Sequence, residues 1–357
     1  MIKKALIALS GGVDSSVAAL LMKECGYKCI GTTMHLFDND NICVVGDKTC
    51  CSLADVEDAR SVANVLSIPY YVFNFTDEFK NAVINPFIAA YDSGRTPNPC
   101  IDCNRHLKFA KLFSRTLELD FDFVVTGHYA RTAYDEKTGR YLLKVAVDKH
   151  KDQTYVLYEL TQEQLACVQF PLGGMNKARV REIAEKHGFI NADKRDSQDI
   201  CFVPDGDYAA FIEAYTKRKY PVGDFVLTSG EVIGQHDGII RYTIGQRRGL
   251  GIAYSEPLYV VSKDIEKNIV VLGTNDELFS SCLTANGINL ISVPYIDGEM
   301  RMQAKVRYAQ TAQAAVVRQI SDDRIEVVFD EPQRAIAAGQ AVVMYDGDVV
   351  VGGGRIE

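Results

Sequence analysis

Apolar Ala5-Leu6-Ile7-Ala8-Leu9 stops at Ser10-Gly11-Gly12, and an amphipathic stretch from Val17 to Cys25 follows, which predicts a buried strand, a turn and a helix. Gly26 is placed to end that helix, and Lys28 to Met34 predicts a second strand. After a loop rich in Asp, Asn and Gly that ends at Cys50-Cys51, Ser52 and Asp55 start a helix. Its apolar positions Val56, Ala59, Val62 or Ala63 and Leu66 recur at helical spacing. Ile68-Pro69 ends it, Tyr70 to Phe75 makes a third strand, and Phe79, Val83, Phe87 and Ile88 mark a helix kinked or restarted at Pro86. Two prolines and a glycine make the stretch from Ser93 a loop, with Asn104 as the cap of a helix carrying Leu107, Ala110 and Leu117. Phe121 to Thr126 is a buried strand ending in Gly127-His128-Tyr129. Such alternation predicts an α/β fold, a doubly wound parallel sheet with ligands beyond the C-terminal strand ends, where the Ser-Gly-Gly turn, Met34 and Gly127 converge.

From Ala130 to Val147 two alternating runs flank Asp135-Glu136-Lys137-Thr138-Gly139 and predict a hairpin. Helices follow from Thr161, with Gln164 completing a capping box, and from Asn176 to His187, closed by Gly188. Lys194 to Phe202 is polar and reads as a loop; a short helix runs from Asp207 to Tyr215. Beyond Gly223 helices nearly vanish. Short β runs with Ser229-Gly230 and Asp237-Gly238 turns form a small β-rich module to Leu272. From Leu278 to Glu357, Val and Ile alternate with polar residues as in a small β-barrel or sandwich. The expected domains are residues 1–205, 206–277 and 278–357, with no long linker, low-complexity tract or internal repeat.

Composition narrows the class. With 47% hydrophobic and 24% charged residues among 357, this is an ordinary globular chain long enough for two or three domains. Lys3-Lys4 before an apolar run imitates a signal peptide, but the run ends after five residues. No segment reaches the ~18 apolar residues of a membrane span, so a cytoplasmic protein without a membrane partner is expected. Ten cysteines in a reducing compartment are buried small hydrophobes, metal ligands or reactive thiols; Cys25, Cys29, Cys167 and Cys282 fit the first class. A net charge of −8 argues against a nonspecific nucleic-acid coat. Local basic patches remain at Arg105, Lys108, Lys111 and Arg115, at Lys177, Arg179 and Arg181, at Arg247-Arg248, and at Lys305 and Arg307.

Candidate chemistry begins at Ser10-Gly11-Gly12-Val13-Asp14-Ser15-Ser16. Glycines between a strand and a helix let the backbone approach an anion, and the helix start offers unpaired N–H groups and its positive dipole end. The pattern is neither Gly-x-x-x-x-Gly-Lys nor Gly-x-Gly-x-x-Gly. It resembles the PP-loop of ATP pyrophosphatases, which grips the β and γ phosphates and leaves the α phosphate open to attack. That resemblance implies adenylation of an oxygen nucleophile, with Asp14 helping to hold Mg²⁺ and Ser10 and Ser15 giving hydroxyls to the phosphates. Cys100 and Cys103 form a Cys-x-x-Cys in which a helix start and Arg105 favour the thiolate, and Cys201 lies far along the chain near Lys194 and Arg195. Neither a second Cys-x-x-Cys nor a His-x-x-x-His is present, so sulfur chemistry is expected over a structural zinc. His128 reads equally as a base-contacting or acid/base residue and as a strand-end core histidine. Cys50-Cys51 with Cys43 is a second candidate metal or sulfur site, for which loop packing is the favoured role.

Longer motifs occur in order: Gly94-Arg95-Thr96-Pro97-Asn98-Pro99 with Cys103-Asn104, Thr126-Gly127-His128-Tyr129, Lys151-Asp152-Gln153, Ile200-Cys201-Phe202, Gly-Gln-Arg-Arg-Gly-Leu-Gly at 245–251, and Gly352-Gly353-Gly354. With the PP-loop they resemble the tRNA-specific 2-thiouridylase family over nearly the whole chain. The resemblance implies ATP-dependent 2-thiolation of the wobble uridine in tRNAs for Lys, Glu and Gln. It implies a PP-loop (adenine nucleotide alpha hydrolase-like) domain, a small central domain and a C-terminal β-barrel, with tRNA held across all three. ATP would meet Ala8, Leu9, Ser10, Gly11, Gly12, Val13, Asp14, Ser15, Met34 and Gly127. The target base would meet Asn98, Pro99 and residue 100. Cys103 would be the catalytic thiol and Cys201 its sulfur-carrying partner, and His128, Lys151, Asp152, Gln153, Arg307, Tyr308 and Gln340 would touch tRNA, with affinity falling as salt rises.

One position departs from the family pattern Asn-Pro-Asp-x-x-Cys: the Asp is Cys100 here. Cys100, Cys103 and Cys201 then supply three thiolates, the set that holds a 4Fe-4S cluster with one open iron in related tRNA thiolases. This leads to cluster-bound sulfide as the donor. A Cys201 persulfide followed by a Cys103–Cys201 disulfide is the alternative, fed by a sulfur donor or relay protein, or by free sulfide. A PP-loop amidating ligase explains neither the paired cysteines nor the basic β-rich tail, and the intact Ser-Gly-Gly-Val-Asp-Ser weighs against a non-catalytic tRNA-binding or iron-sulfur scaffold.

Overall fold

The computed structural model describes residues 2–37, 53–194, 200–203 and 206–357; Cys43, Cys50, Cys51 and Ser52 lie outside the described residues. The strands are β1 (Lys4–Ala8), β2 (Lys28–His35), β3 (Tyr70–Asn74), β4 (Phe123–Val125), the hairpin β5 (Arg131–Asp135) and β6 (Arg140–Lys144), and β7 (Val168–Gln169). Five of them form a wholly parallel sheet in the order β3-β2-β1-β4-β7. Alternation along β1 serves both faces. Leu6 joins a core with Phe79, Leu107 and Val124, while Ala5 and Ile7 join another with Val17, Val62 and Val180. Helices α1 (Val13–Glu24), α2 (Leu53–Val65) and the helix Lys177–Lys186 cover one face; α3 (76–92) and α4 (99–118) cover the other. The sheet is doubly wound, as the periodicity predicted, and the C-terminal ends of β1, β2 and β4 lie along one edge.

The helical run restarts at Pro86 as expected: the turn Lys80–Ile84 widens to a π turn, in which the Asn85 N–H reaches Lys80 O, and the α-helix resumes with Pro86 in its first turn. α4 differs from the expectation. The helix begins at Pro99, with Asn98 as its cap accepting the Cys100 N–H at 3.2 Å, so Asn104 is not a cap. Proline suits the first helical position because its missing N–H is unneeded there, which turns the second proline of this loop into a helix start. Asn104 is buried inside the helix and donates to Val156 O at 2.9 Å. Cys100 and Cys103 therefore occupy the first helical turn.

Beyond the helix 208–216, four strands, β8 (Gly223–Leu227), β9 (Val232–His236), β10 (Tyr259–Asp264) and β11 (Ile269–Gly273), form a small mixed sheet in the order β10-β11-β8-β9. The last six, β12 (Phe279–Leu290), β13 (Glu299–Lys305), β14 (Gln313–Ser321), β15 (Arg324–Arg334), β16 (Ala341–Asp346) and β17 (Val349–Ile356), close into a barrel, because β17 pairs back onto β12. Closure removes the exposed strand edges that an open sheet of this length would present. The β5–β6 hairpin of the first region adds to β17 at Lys144 and Val349, and a shared core of Leu143, Tyr155, Ala341, Val343 and Val350 seals that junction. Of the four cysteines assigned to cores, only Cys29 is buried; Cys25 and Cys282 are exposed and Cys167 is half-buried. Among the described residues no helix is long and apolar enough to cross a membrane.

Candidate active site

The Ser-Gly-Gly turn closes on itself. The Ser10 N–H donates to Ser15 Oγ at 3.1 Å, and the Ser15 and Ser16 hydroxyls each donate to Gly12 O at 3.0 Å. Gly11 has φ +74°, and a Cβ there would lie 2.4 Å from Asp55 O. Gly12, the N-cap of α1, offers no side chain to the first N–H groups, which leaves that helix end open to an anion. Gly127 follows β4 and packs so tightly on the turn that a Cβ would stand 2.7 Å from Asp14 C and Ser15 N. The two segments expected to hold ATP therefore touch. Met34 lies on β2, next to β1 in the sheet.

Residues that sequence reasoning did not place here hold this turn from behind. Asn191 Nδ2 donates to Gly11 O at 3.0 Å and Ser16 Oγ at 2.9 Å, and Lys194 Nζ reaches Gly11 O, Asp55 and Asp58. Partial burial works against the Lys194 ammonium, but the hydrogen bonds it donates to the Asp55 and Asp58 carboxylates hold its pKa above the usual lysine value. Asp14 faces Lys177, whose Nζ donates to both carboxylate oxygens at 2.8 Å, and Tyr129, whose hydroxyl donates at 2.8 Å. The expected Mg²⁺ ligand is thus ion-paired with a lysine that the sequence showed only as part of a basic cluster. Periodicity marks the faces of a helix; it does not tell which lysine turns toward a carboxylate more than a hundred residues away.

Cys103 is buried in the core on the α3 face of the sheet, Cys201 packs against the same core, and Cys100 is exposed. Phe202 anchors the Cys201 segment edge-on against Phe79 and Phe87 of α3, and the 99–103 turn rests on the π turn of that helix. One helix thus carries both cysteine segments. A 4Fe-4S cluster needs three thiolates directed into a common volume. Among the described residues no three His, Cys, Asp or Glu side chains stand together so as to hold a metal ion, and the three thiols as placed do not fit the expected cluster.

Several residues expected to touch tRNA are turned inward. His128 is buried between Phe109 and Phe170, with Nδ1 at 2.8 Å from Thr126 Oγ1. Asp152 is buried, its carboxylate pKa raised by that burial, and it accepts the Ala146 N–H and the Thr154 hydroxyl. Gln153 Oε1 accepts the Tyr129 N–H at 2.9 Å. Arg307 donates to Ala335 O at 2.6 Å and to Ile244 O at 3.3 Å, with its pKa lowered by burial, and so ties the central sheet to the barrel. Gln340 donates to Thr96 O at 2.9 Å. Of these five side chains His128 and Asp152 are buried and Gln153, Arg307 and Gln340 half-buried. Tyr308 is different: 44% exposed, it stands edge-on to Tyr155 and close enough to Asp152 and Cys100 for their charges to add to the burial that raises its pKa.

Burial, with a smaller push from Lys108, holds the His128 pKa well below 6.5, so the imidazole is neutral near pH 7. Unfolded chain binds the proton that folded chain refuses, so this residue makes stability fall, ever more steeply, as pH drops through about 6.5, until the folded pKa is reached. His128→Asn, whose amide reaches Thr126 from the place of Nδ1, is expected to flatten that slope. Chemical unfolding of both proteins from pH 7.5 to 5.5 checks it, and parallel profiles would remove His128 as the cause.

Three family models match the chain in succession. They are described as tRNA methyl transferase HUP domain over residues 3–205, tRNA methyl transferase PRC-barrel domain over 209–274, and aminomethyltransferase beta-barrel domain over 280–356. A protein of Clostridioides difficile named tRNA-specific 2-thiouridylase MnmA is 50% identical over 100% of this chain and 99% of its own length. One of Caldanaerobacter subterraneus named tRNA-specific 2-thiouridylase MnmA 2 is 54% identical over 99% of this chain and 98% of its own. A third, from Acetivibrio thermocellus and named tRNA-specific 2-thiouridylase MnmA, is 51% identical over 99% of each.

Proposed function

Because the chain belongs to the tRNA-specific 2-thiouridylase family, we propose that it is an ATP-dependent sulfurtransferase that replaces O2 of a tRNA uridine with sulfur. One line of contacts carries the reading. Gly127 lies on the phosphate turn at Asp14 and Ser15, His128 beside it packs on Phe109, and Phe109 belongs to the helix that opens with Cys100 and Cys103. A loop suited to ATP and a thiol suited to sulfur transfer are thus joined through one strand end.

ATP brings Mg²⁺ as part of the substrate. The open end of α1, with Ser10 and Ser15, holds the β and γ phosphates, and Lys177 offsets the Asp14 carboxylate that would otherwise repel them. Uridine O2 attacks the α phosphorus; the new O–P bond replaces the bond to pyrophosphate, which leaves, and N3 loses its proton. O2 is now part of a good leaving group. The terminal sulfur of a Cys201 persulfide attacks C2 and AMP departs, giving a C2–S–S–Cys201 linkage. The Cys103 thiolate attacks the Cys201 sulfur, 2-thiouridine leaves, and a Cys103–Cys201 disulfide remains for an external dithiol to reduce. A sulfur donor or relay protein loads the persulfide. Tyr308 offers an exposed ring for the displaced base. Asn98 and Pro99 set the turn beneath it, and Lys151 with nearby basic side chains meets the tRNA backbone, which makes affinity fall with salt. The proposed target is the wobble uridine of tRNAs for Lys, Glu and Gln. Residues 1–205, 206–277 and 278–357 are the units of this machine, and the cytoplasm supplies its substrates.

The two-cysteine route separates cleanly from cluster-bound sulfide. Cys100→Ser is expected to keep 2-thiouridine formation within about fivefold of wild type, since Cys100 is exposed and outside the transfer pair. Iron and sulfide assays on anaerobically purified protein accompany the rate. Thiolation that tracks bound iron and vanishes in Cys100→Ser would establish the cluster instead.

A further inference from the structure

The last strand of the barrel reaches under the cysteine turn. Arg355, in β17, directs its guanidinium out of the barrel onto Asp102, the residue immediately before Cys103, with Glu159 Oε1 3.9 Å away. Both carboxylates are buried. Glu159 also accepts the Tyr158 hydroxyl at 3.0 Å and faces Arg105 Nη1 at 2.6 Å, an ion-pair distance off the hydrogen-bonding direction. The group balances two carboxylates against two guanidiniums, and Arg355 is its link to the barrel. A second grip lies a few residues earlier: the Thr96 N–H donates to Ala338 O at 2.8 Å and Gln340 donates to Thr96 O. Neither grip shares a bond with Ser10–Ser16, which Asn191, Lys194 and Lys177 hold.

Resting on the sulfurtransferase reading above, we propose that Arg355 is a positioning residue for sulfur transfer: through Asp102 it fixes the helical turn that carries Cys103, and it takes no part in ATP activation. The barrel then does more than offer surface to a partner; it completes the sulfur site. The two half-reactions respond differently to its loss. With the turn released, O2 is still adenylated, but Cys103 no longer meets the Cys201 sulfur in time. The base stays in the C2–S–S–Cys201 linkage after AMP has left, water attacks its C2, the Cys201 persulfide is the leaving group, and the uridine is regenerated at the expense of ATP.

The measurement is AMP released per 2-thiouridine formed, on the full chain with tRNA, MgATP and a persulfide-forming sulfur source. Wild type should stay near one. Arg355→Met and Asp102→Asn should each raise the ratio at least tenfold while the KM for ATP stays within twofold. Arg324→Met, which breaks a surface pair with Glu357 in the same barrel, should match wild type. If Arg355→Met does not fold, the near-isosteric Asp102→Asn carries the test. A folded Asp102→Asn with an unchanged ratio, or with AMP formation and thiolation falling together, overturns the role of Arg355. Failure of wild type to make any 2-thiouridine would instead strike the sulfurtransferase reading.

Discussion

Cys103→Ala is expected to stop 2-thiouridine formation, by roughly 10³-fold or more, the scale of loss when a covalent nucleophile is deleted. Pyrophosphate release dependent on tRNA should survive. The two outcomes separate because the thiol and the phosphate turn are built by different parts of the chain. Cys103 sits on the first turn of α4 against α3, whereas Ser10 to Ser16 are held by Asn191, Lys194 and Lys177. Truncating one small buried side chain next to Phe79, Val83 and Leu107 costs about 1 kcal/mol, too little to unfold a chain of this size. Thiolated nucleoside and pyrophosphate from the same reaction mixture check both halves. A Cys103→Ala protein that still thiolates would move the sulfur chemistry to another residue.

Gly127→Ala is expected to damage the opposite half. Its Cβ would lie 2.7 Å from Asp14 C and Ser15 N, which are backbone atoms at the start of α1 and cannot rotate aside. Either β4 withdraws from the turn or the turn shifts by about an ångström. Overpacking of this kind costs about 1–3 kcal/mol. A shift of that size in a site that must align Pα with its nucleophile lowers kcat/KM for ATP by roughly 10²-fold. Thermal unfolding and the ATP dependence of pyrophosphate release measure the two effects, and a variant with wild-type ATP kinetics would show that Gly127 does not shape the nucleotide site.

What the chain discloses on reading follows from the range of each interaction. The parallel sheet was legible because β1 alternates between two cores and because a turn with two glycines between a strand and a helix has few other uses. Capping was legible where the cap precedes its helix by a few residues, as at Thr161 with Gln164 and at Asn176. It failed at Asn98 because two prolines weighed toward a loop, although a proline is also the best first residue of a helix. A residue motif does not tell which way its side chains face. Asp152, Gln153, Arg307 and Gln340, expected to touch tRNA, hydrogen-bond to backbone groups in the structure, and His128 meets the Thr126 hydroxyl. Pairs across long stretches, such as Asp14 with Lys177 or Asp102 with Arg355, have no local signature at all. The charge of each is visible in the sequence; its partner is fixed only when the sheet and the barrel close.

The most direct test of the account is nucleoside mass spectrometry of substrate tRNA after incubation with the purified protein, MgATP and a persulfide donor, with AMP and pyrophosphate measured alongside. The account predicts 2-thiouridine at the target position, formed with one AMP and one pyrophosphate per sulfur, and none when ATP is omitted. Sulfur incorporated without ATP, or AMP and pyrophosphate formed from tRNA with no thiolated uridine in the wild-type reaction, would contradict it.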